Sequence, residues 1–439
     1  MEVVMKRLTD HLIVISFDCL SSLDFPMLEK LPHFQEFLKN GAYCQYVETI
    51  YPSVTYPCHT SIVTGNFPHR HGVINNTFLQ PRAISPDWYW HRKHIKGTTL
   101  YDEAKKAGLK TAAFLWPVTA KAKIDYNMPE IFANRSWHHQ IPVSLWNGSA
   151  LFQLEMNFKF GKVRKGLRQP ELDDFVLDST VHTIKAQKPN LLLVHFTDLD
   201  TQRHYHGFAS NEAFAAIRRH DVRLGRIIQA LKDSSIYEKS TIVALGDHSA
   251  FDHSKAVKPN VLLKEQGLIQ VNDNGKIIDW KAYCKSCDGS AYIYVKDERD
   301  LETKKMVRSL FETLVQDENS GIERVISGSE AALKGADGKA FLMIAARKNY
   351  YLTEYLSGEF IDTITETDVQ ERRYTFASHG YSPEKDQYTT VLMTNGKGIR
   401  SNTVIPYMRL IDEGPTFARL LGLDLGNTDG QIIEQLLTM

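Results

Sequence analysis

Three near-continuous apolar runs in this chain each break off on an aspartate. His11-Leu12-Ile13-Val14-Ile15-Ser16-Phe17 leads into Asp18, Leu191-Leu192-Leu193-Val194-His195-Phe196 stops just before Asp198 and Asp200, and Thr241-Ile242-Val243-Ala244-Leu245-Gly246 leads into Asp247. Runs of this length, without polar alternation, read as strands buried on both faces of a parallel sheet. Open sheets of that kind gather ligands at the carboxyl ends of their strands. The expected fold is therefore α/β, a mostly parallel central sheet flanked by helices, with carboxylates delivered to one edge. His204 follows Asp200 by four residues, and His248 follows Asp247 directly. Hard carboxylate oxygens beside borderline imidazole nitrogens suit zinc or a similar divalent ion.

A chain of 439 residues is long for one ordinary core and implies a large α/β unit with a smaller insertion. Lys+Arg and Asp+Glu both number 52, so overall charge gives no reason to expect a nucleic acid polymer as partner. The N-terminal stretch Met1–Arg7 is charged early, and Asp18 interrupts the first apolar run before it could serve as a secretion signal or cross a bilayer. No membrane partner is expected. Five cysteines, Cys19, Cys44, Cys58, Cys284 and Cys287, are an odd set that argues for a reducing compartment, and the expected location is cytoplasmic.

Strand-like and helix-like stretches alternate from Asp10 to about Leu245, as in consecutive βα units. Helices are expected over Tyr101 to Lys106 and Asn211 to Leu231, the second from Phe214, Ile217, Leu224, Ile228 and Leu231 at three- and four-residue spacing. A strand is expected over Thr111 to Trp116. The expected division is a catalytic core over 1–258 and 374–439 with an inserted α+β cap over 259–373. Inside that insertion Gly267 to Trp280 reads as polar and turn-rich, Ala291–Val295 as a strand, Leu301–Val315 as a helix and Phe341–Leu352 as strands. Thr389–Met393 and Gly414–Leu421 then supply a strand and a closing helix.

The segment Tyr51-Pro52-Ser53-Val54-Thr55-Tyr56-Pro57-Cys58-His59-Thr60-Ser61 places hydroxyls just before a helix-like run. A helix N-terminus attracts anions, and an alcohol held there beside a metal loses its proton more readily than in water. The plainer reading of such a hydroxyl is a helix cap.

These residues resemble the alkaline phosphatase superfamily and, within it, the type I phosphodiesterase/nucleotide pyrophosphatase family. The matching pieces are Phe17-Asp18, Val54-Thr55-Tyr56-Pro57-Cys58-His59 with Ile62-Val63-Thr64-Gly65, His71-Gly72-Val73-Ile74-Asn75-Asn76, and Trp116-Pro117-Val118-Thr119. Further on come Asp200-Thr201-Gln202-Arg203-His204-Tyr205-His206-Gly207, Gly246-Asp247-His248, Ser378-His379-Gly380-Tyr381 and the closing Gly414–Gly422. The resemblance implies two zinc ions, with manganese or another divalent ion as a substitute. Asp200, His204 and His379 would hold one; Asp18, Asp247, His248 and the Thr55 oxygen would hold the other. His379 rests on the family pattern alone, because nothing in its spacing singles it out among 17 histidines.

By the same resemblance Thr55 is the nucleophile, a phosphothreonine is the intermediate, and Asn76 donates to a phosphoryl oxygen. His206 and His253 are candidates to assist. Tyr56 and Trp116 are candidates to stack on a nucleobase, or else pack in the core. Arg203 either reaches an anionic substrate group or is solvated. Cys284-Lys285-Ser286-Cys287 lacks a partner pair for a tetrahedral zinc site and reads as structural. The implied activity is hydrolysis of a small phosphate ester or nucleotide, most simply a phosphodiester. Phosphonoacetate hydrolysis and phosphomonoester hydrolysis are alternatives on the same ligands, and an inactive phosphate-binding protein is the alternative from outside catalysis.

Overall fold

The three aspartate-terminated runs form adjacent strands. The computed structural model describes residues 6–438; Met1–Met5 and Met439 lie outside the described residues, and with them most of the charged N-terminal stretch. The central sheet contains β1 (His11–Phe17), β2 (Ala42–Glu48), β3 (Thr111–Phe114), β4 (Tyr126–Met128), β5 (Leu191–Phe196) and β6 (Ser240–Leu245). Its nine strands run in the order Thr403–Ile405, β2, Thr390–Gly396, β6, β1, β5, β3, β4, with Met408–Arg409 also pairing β2. β1 pairs in parallel with β5 on one side and β6 on the other, with Phe17 opposite Phe196 and Ser16 opposite Leu245. That register brings the three carboxyl ends level. Thr390–Gly396 runs antiparallel between β6 and β2, so the sheet is mostly parallel.

Both faces of the sheet are covered, which is why the strands read as unbroken apolar runs. Leu12, Val14, Leu191, Leu193 and Val243 pack into a core on one face, where Ile62 and Val63 of the Thr55–Thr64 helix meet them. Ile13, Ile15, Leu192, Val194 and Ile242 pack on the other face against Ile217, Leu224 and Leu231. The last three belong to the Asn211–Asp233 helix, two residues longer than its periodicity predicts. The strand expected to reach Trp116 stops at Phe114, because Leu115 turns the backbone to φ 50°.

Between Phe251 and Ser378 the chain builds three smaller sheets. Ala282–Ser286, Ser290–Val295, Leu342–Ala346 and Ile322–Ser327 form an antiparallel sheet in that order. Phe251–Val257 pairs with Asn349–Leu352, Ile361–Thr363 and Ala377–Ser378. The stretch expected to be turn-rich contains a short hairpin, Ile269–Val271 with Ile277–Trp280. The closing helix spans Glu413–Leu420.

A buried ion-pair network fixes the helix that follows β5. Asp198, the first residue of the Asp198–His206 helix, accepts from Arg219 Nε (2.6 Å) and Arg223 Nη1 (2.9 Å) of the Asn211–Asp233 helix. Arg223 is also fully buried and shares its charge among Asp198, Asp174 (3.1 Å) and Asp173 (3.6 Å), so losing Asp198 would leave a buried guanidinium underpaired. Burial would raise the Asp198 pKa, but the Arg219 hydrogen bond and the Arg223 charge outweigh it and hold the carboxyl at about 2, against 3.8 ordinarily. A depressed carboxyl contributes stability that is present above its unfolded pKa and is lost as pH falls towards the folded one. The shift corresponds to about 2 kcal/mol. Asp198→Asn should therefore unfold at lower urea concentration than wild type at neutral pH, with the gap closing as pH drops from about 4 towards 2. A pH-independent gap would show that the carboxylate charge is not what the network uses.

Candidate active site

The carboxyl ends of β5, β1 and β6 deliver their side chains to a single buried cluster. Asp18 follows β1 directly. After it Cys19 adopts φ 66°, a left-handed conformation that turns its N–H onto Asp247 Oδ1 at 3.0 Å. Gly246 precedes Asp247 where a Cβ would lie 2.1 Å from the Leu20 carbonyl oxygen, so only glycine lets the β6 end approach the Asp18 turn this closely. Asp200 and His204 sit one turn apart on the Asp198–His206 helix, with His204 Nε2 3.2 Å from Asp200 Oδ2. His204 Nδ1–H donates to the Ala377 carbonyl at 2.8 Å, which leaves Nε2 facing the carboxylate.

His379 arrives from a segment remote in sequence. Its Nε2 lies 3.9 Å from Asp200 Oδ1, and its ring stacks on His248 with centroids 4.1 Å apart. Gly380 makes this placement possible, since at φ 77° a Cβ would fall 1.7 Å from the Cys287 carbonyl oxygen. Two groups of donors result, Asp200 with His204 and His379, and Asp18 with Asp247 and His248; within each, the donor atoms lie within 4.8 Å of one another. Cys19 adjoins both, since its sulfur lies within 4.8 Å of ligand atoms of Asp200 and His248.

The donor chemistry fits divalent cations. His248 Nδ1–H is turned to the Ser249 carbonyl at 3.2 Å, so its bare Nε2 faces Asp18 Oδ1 at 3.4 Å and Asp247 Oδ2 at 3.2 Å. Three acceptors thus converge with no donor among them. Asp18 Oδ1, Asp247 Oδ2 and Asp200 Oδ1 are buried without a hydrogen-bond partner, and such atoms are costly unless a cation joins them. Burial and the neighbouring Asp247 and Asp200 push the Asp18 carboxyl well up, and burial raises Asp247 to about 7. Burial is outweighed by His204 at Asp200, whose pKa falls, and by Asp200 at His204, which rises to about 9. Burial lowers His248 to about 4 and His379 to about 3. The neutral imidazole that a metal requires is thus the natural state of these two at neutral pH.

Thr55 opens the Thr55–Thr64 helix, and its Oγ1 lies 3.4 Å from His248 Nε2. The Tyr56 N–H donates to Asn76 Oδ1 at 2.9 Å, so the Asn76 amide nitrogen is the end left to meet a ligand. Asn76 is fixed in turn by Asn75, whose Oδ1 accepts the Asn76 N–H (2.6 Å) and whose Nδ2 donates to the Ser286 carbonyl at 2.8 Å.

Several expectations change on folding. Trp116 is fully buried and packs edge-on to His59 at 4.8 Å, and Tyr56 is fully buried against Trp88 at 5.2 Å. Neither ring offers a face to a base; both belong to the core. Arg203 neither reaches the site surface nor is solvated. It is 1% exposed, pairs with Asp24 at 2.6 Å and donates to the Cys19 carbonyl, so it braces the turn that carries Asp18. His206 is exposed, and His253 stacks on Tyr351 at 4.1 Å. Cys284 and Cys287 are buried thiols, and Cys287 Sγ accepts from Asn75 Nδ2 at 3.2 Å.

Two histidines beneath the cluster were not anticipated. His195 Nε2 lies 3.0 Å from Asp18 Oδ2, with Nδ1 3.1 Å from the Leu115 carbonyl and 3.5 Å from Glu130 Oε2. It is the one polar side chain in the β5 run, and that is the signal by which it could have been found. His59 Nδ1–H donates to the Thr55 carbonyl (2.8 Å) and Nε2 accepts from Ser16 Oγ at 2.9 Å, tying the Thr55 helix to β1.

A covered, mostly parallel sheet with carboxylates and imidazoles gathered at its carboxyl edge defines an alkaline phosphatase-like α/β protein. The family model for type I phosphodiesterase/nucleotide pyrophosphatase matches residues 12–382, and the chain belongs to that family. It is 26% identical over 229 residues to human ectonucleotide pyrophosphatase/phosphodiesterase family member 1, covering 50% of this chain and 21% of that protein. It is likewise 26% identical to venom phosphodiesterase 2 of Crotalus adamanteus, covering 50% of this chain and 24% of the venom protein. The aligned region is thus a quarter or less of those relatives. The solved structure of an inactive variant of murine ectonucleotide pyrophosphatase/phosphodiesterase 5 in complex with AMP superposes with a TM-score of 0.67 at 18% identity, covering 98% of this chain and 100% of that one. The same fold is shared end to end.

Asp247→Asn and His379→Ala should each lower bound zinc by elemental analysis, and unchanged zinc in both would refute the ligand groups. His195→Phe removes the partner that orients Asp18, along with the contacts of that ring to the Leu115 carbonyl and Glu130, and should weaken zinc affinity by about 10–100-fold in a chelator competition.

Proposed function

We propose that this protein is a metal-dependent hydrolase of phosphate esters, a phosphodiesterase or nucleotide pyrophosphatase that works through a phosphothreonine on Thr55. The observation that carries the reading is the position of Thr55 Oγ1. It stands at a helix N-terminus, 3.4 Å from His248 Nε2, at the edge of a cluster of unpartnered buried carboxylates. Family membership supports the same class of reaction, and the AMP bound by the murine relative supports a nucleotide as substrate.

Two divalent ions, zinc by the donor set, would be held by Asp200, His204 and His379 and by Asp18, Asp247, His248 and Thr55, and they would supply Lewis-acid charge that acidifies an alcohol or water and offsets phosphoryl charge. Thr55 Oγ1 forms the new bond to phosphorus as the bond to the leaving-group oxygen breaks. The Thr55 N–H, the free donor of a first turn in which Tyr56 N–H meets Asn76, residue 57 is proline and Cys58 N–H meets the Val54 carbonyl, would face the phosphoryl oxygens together with the Asn76 amide nitrogen, where their hydrogen bonds strengthen as charge develops. Water then attacks the phosphothreonine and restores the threonine. His59, holding the Thr55 carbonyl, keeps the first turn in register with β1 throughout. Five buried, unpaired cysteines support a reducing, cytoplasmic setting for this chemistry.

The test is the rate of p-nitrophenol release from bis-p-nitrophenyl phosphate and p-nitrophenyl phosphate on zinc-loaded protein, with an EDTA control and with phosphonoacetate followed by phosphate release. A metal-dependent preference for the diester is expected. Preference for the monoester or for phosphonoacetate would move the enzyme to those reactions, and silence on all three with zinc bound would leave a phosphate-binding protein. Thr55→Ala should cut turnover roughly a thousandfold or more while keeping nearly all of the bound metal. A near wild-type rate would remove Thr55 from the mechanism.

A further inference from the structure

Two helices turn an apolar face outward. In the Ala150–Phe160 helix, Phe152, Gln153 and Met156 point inward and are buried, while Leu151, Leu154 and Phe158 recur at three- and four-residue spacing on the opposite side. Leu151 is 83% exposed and Phe158 90%. The preceding Gln140–Asn147 helix adds Ile141 and Trp146, the latter 76% exposed. A groove of about 270 Å³ between the two helices, lined in part by Ile141, Leu145, Leu154 and Leu167, continues the apolar character. Scattered single apolar side chains are ordinary on a surface; a contiguous stripe is not.

Basic side chains gather at the C-terminal end of the stripe. Residues 159–168 hold five basic side chains, Lys159, Lys162, Arg164, Lys165 and Arg168, with Glu155 before them and Glu171, Asp174 and Asp178 on the helix that follows. Lys159 reaches Glu155 at 3.3 Å and Lys165 reaches Glu171 at 2.6 Å, both exposed pairs of small worth. Among the described residues Lys162 and Arg168 form no ion pair. Lys121 lies 4.2 Å above the Trp146 ring and extends the positive rim.

We propose that this two-helix face docks on a bilayer surface rich in anionic headgroups. Leu151, Leu154, Phe158, Ile141 and Trp146 enter the interfacial layer, and the Lys162–Arg168 cluster lies against headgroup phosphates. Apolar residues with tryptophan on one side and lysine and arginine beside them are the chemistry of a helix lying in a membrane interface. Self-association fits less well, because a two-fold axis through the stripe would set one basic cluster against its copy. No helix among the described residues is long and apolar enough to cross a membrane, and surface docking requires none. This departs from the expectation of no membrane partner, which rested on spanning segments.

Sedimentation of the full chain with vesicles of phosphatidylcholine alone, and of phosphatidylcholine mixed with phosphatidylglycerol, tests the proposal. Binding is expected to the mixed vesicles only and should fall as salt is raised. Leu151→Ser/Phe158→Ser should lower that partition on the order of a hundredfold, and Lys162→Glu/Arg168→Glu by about tenfold or more. Both variants should keep the wild-type unfolding temperature, which separates lost docking from lost folding. No sedimentation with either vesicle, or equal binding by wild type and both variants, would overturn the proposal. So would conversion of a wild-type dimer to a monomer by the stripe variant with vesicle binding unchanged, which would assign the face to a second copy.

Discussion

The structure turns on a group of buried carboxylates and imidazoles that face one another with too few donors between them. Asp18, Asp247 and His248 converge from the ends of β1 and β6, and Asp200, His204 and His379 converge beside them. Such a cluster is unstable by itself, since every buried carboxylate raises the cost of the next. It persists in the fold because β1, β5 and β6 are locked in register by a sheet covered on both faces. The sheet core thus pays for the cluster, and a cation that relieves the repulsion returns stability to the same edge.

Around the acceptors lies a ring of buried cations and donors that do not enter the cluster but hold its backbone. Arg203 ties the Cys19 turn to Asp24, Arg219 and Arg223 hold Asp198 at the head of the helix that carries Asp200 and His204, and His195 fixes one oxygen of Asp18. Arg203, Arg223 and His195 are buried and Arg219 is half-buried, and each meets a group within two residues of a ligand-type side chain or the side chain itself. The arrangement separates the charges that set position from those that are left open to a ligand. That separation is what allows the open edge to remain underpaired without the local backbone collapsing to satisfy it.

What the sequence disclosed follows from the range over which each signal acts. Asp18, Asp200 and Asp247 are legible because an apolar run and its terminating carboxylate are contiguous, and Asp200 with His204 because one helical turn brings them together. His379 is not legible by spacing, since its neighbour His248 lies more than a hundred residues away in the chain and only the fold makes them stack at 4.1 Å. Arg203, Tyr56 and Trp116 were read by residue type, and type alone does not tell a side chain that meets substrate from one that meets Asp24, Trp88 or His59. His195 is hidden for the opposite reason: the apolar run around it points to the aspartates beyond, while the polar residue inside the run is itself the partner of Asp18.

The segment between Phe251 and Ser378 is not a separate body placed over a finished site. His379 leaves its last strand, Gly289 N–H donates to the His379 carbonyl at 2.8 Å, and Gly380 N–H donates to the Ser53 carbonyl at 3.0 Å. Asn75 reaches from the loop before Asn76 to Ser286 in the same segment. The smaller sheets therefore hold one ligand-type histidine, one end of the Thr55 approach and the anchor of the Asn76 amide. A displacement of these sheets by a fraction of an ångström would move His379 and Asn76 together, relative to Asp18 and Thr55, which belong to the large sheet and its helix. The geometry of the cluster therefore depends on both halves, since His379 and the Asn76 amide are held from one and Asp18 and Thr55 from the other.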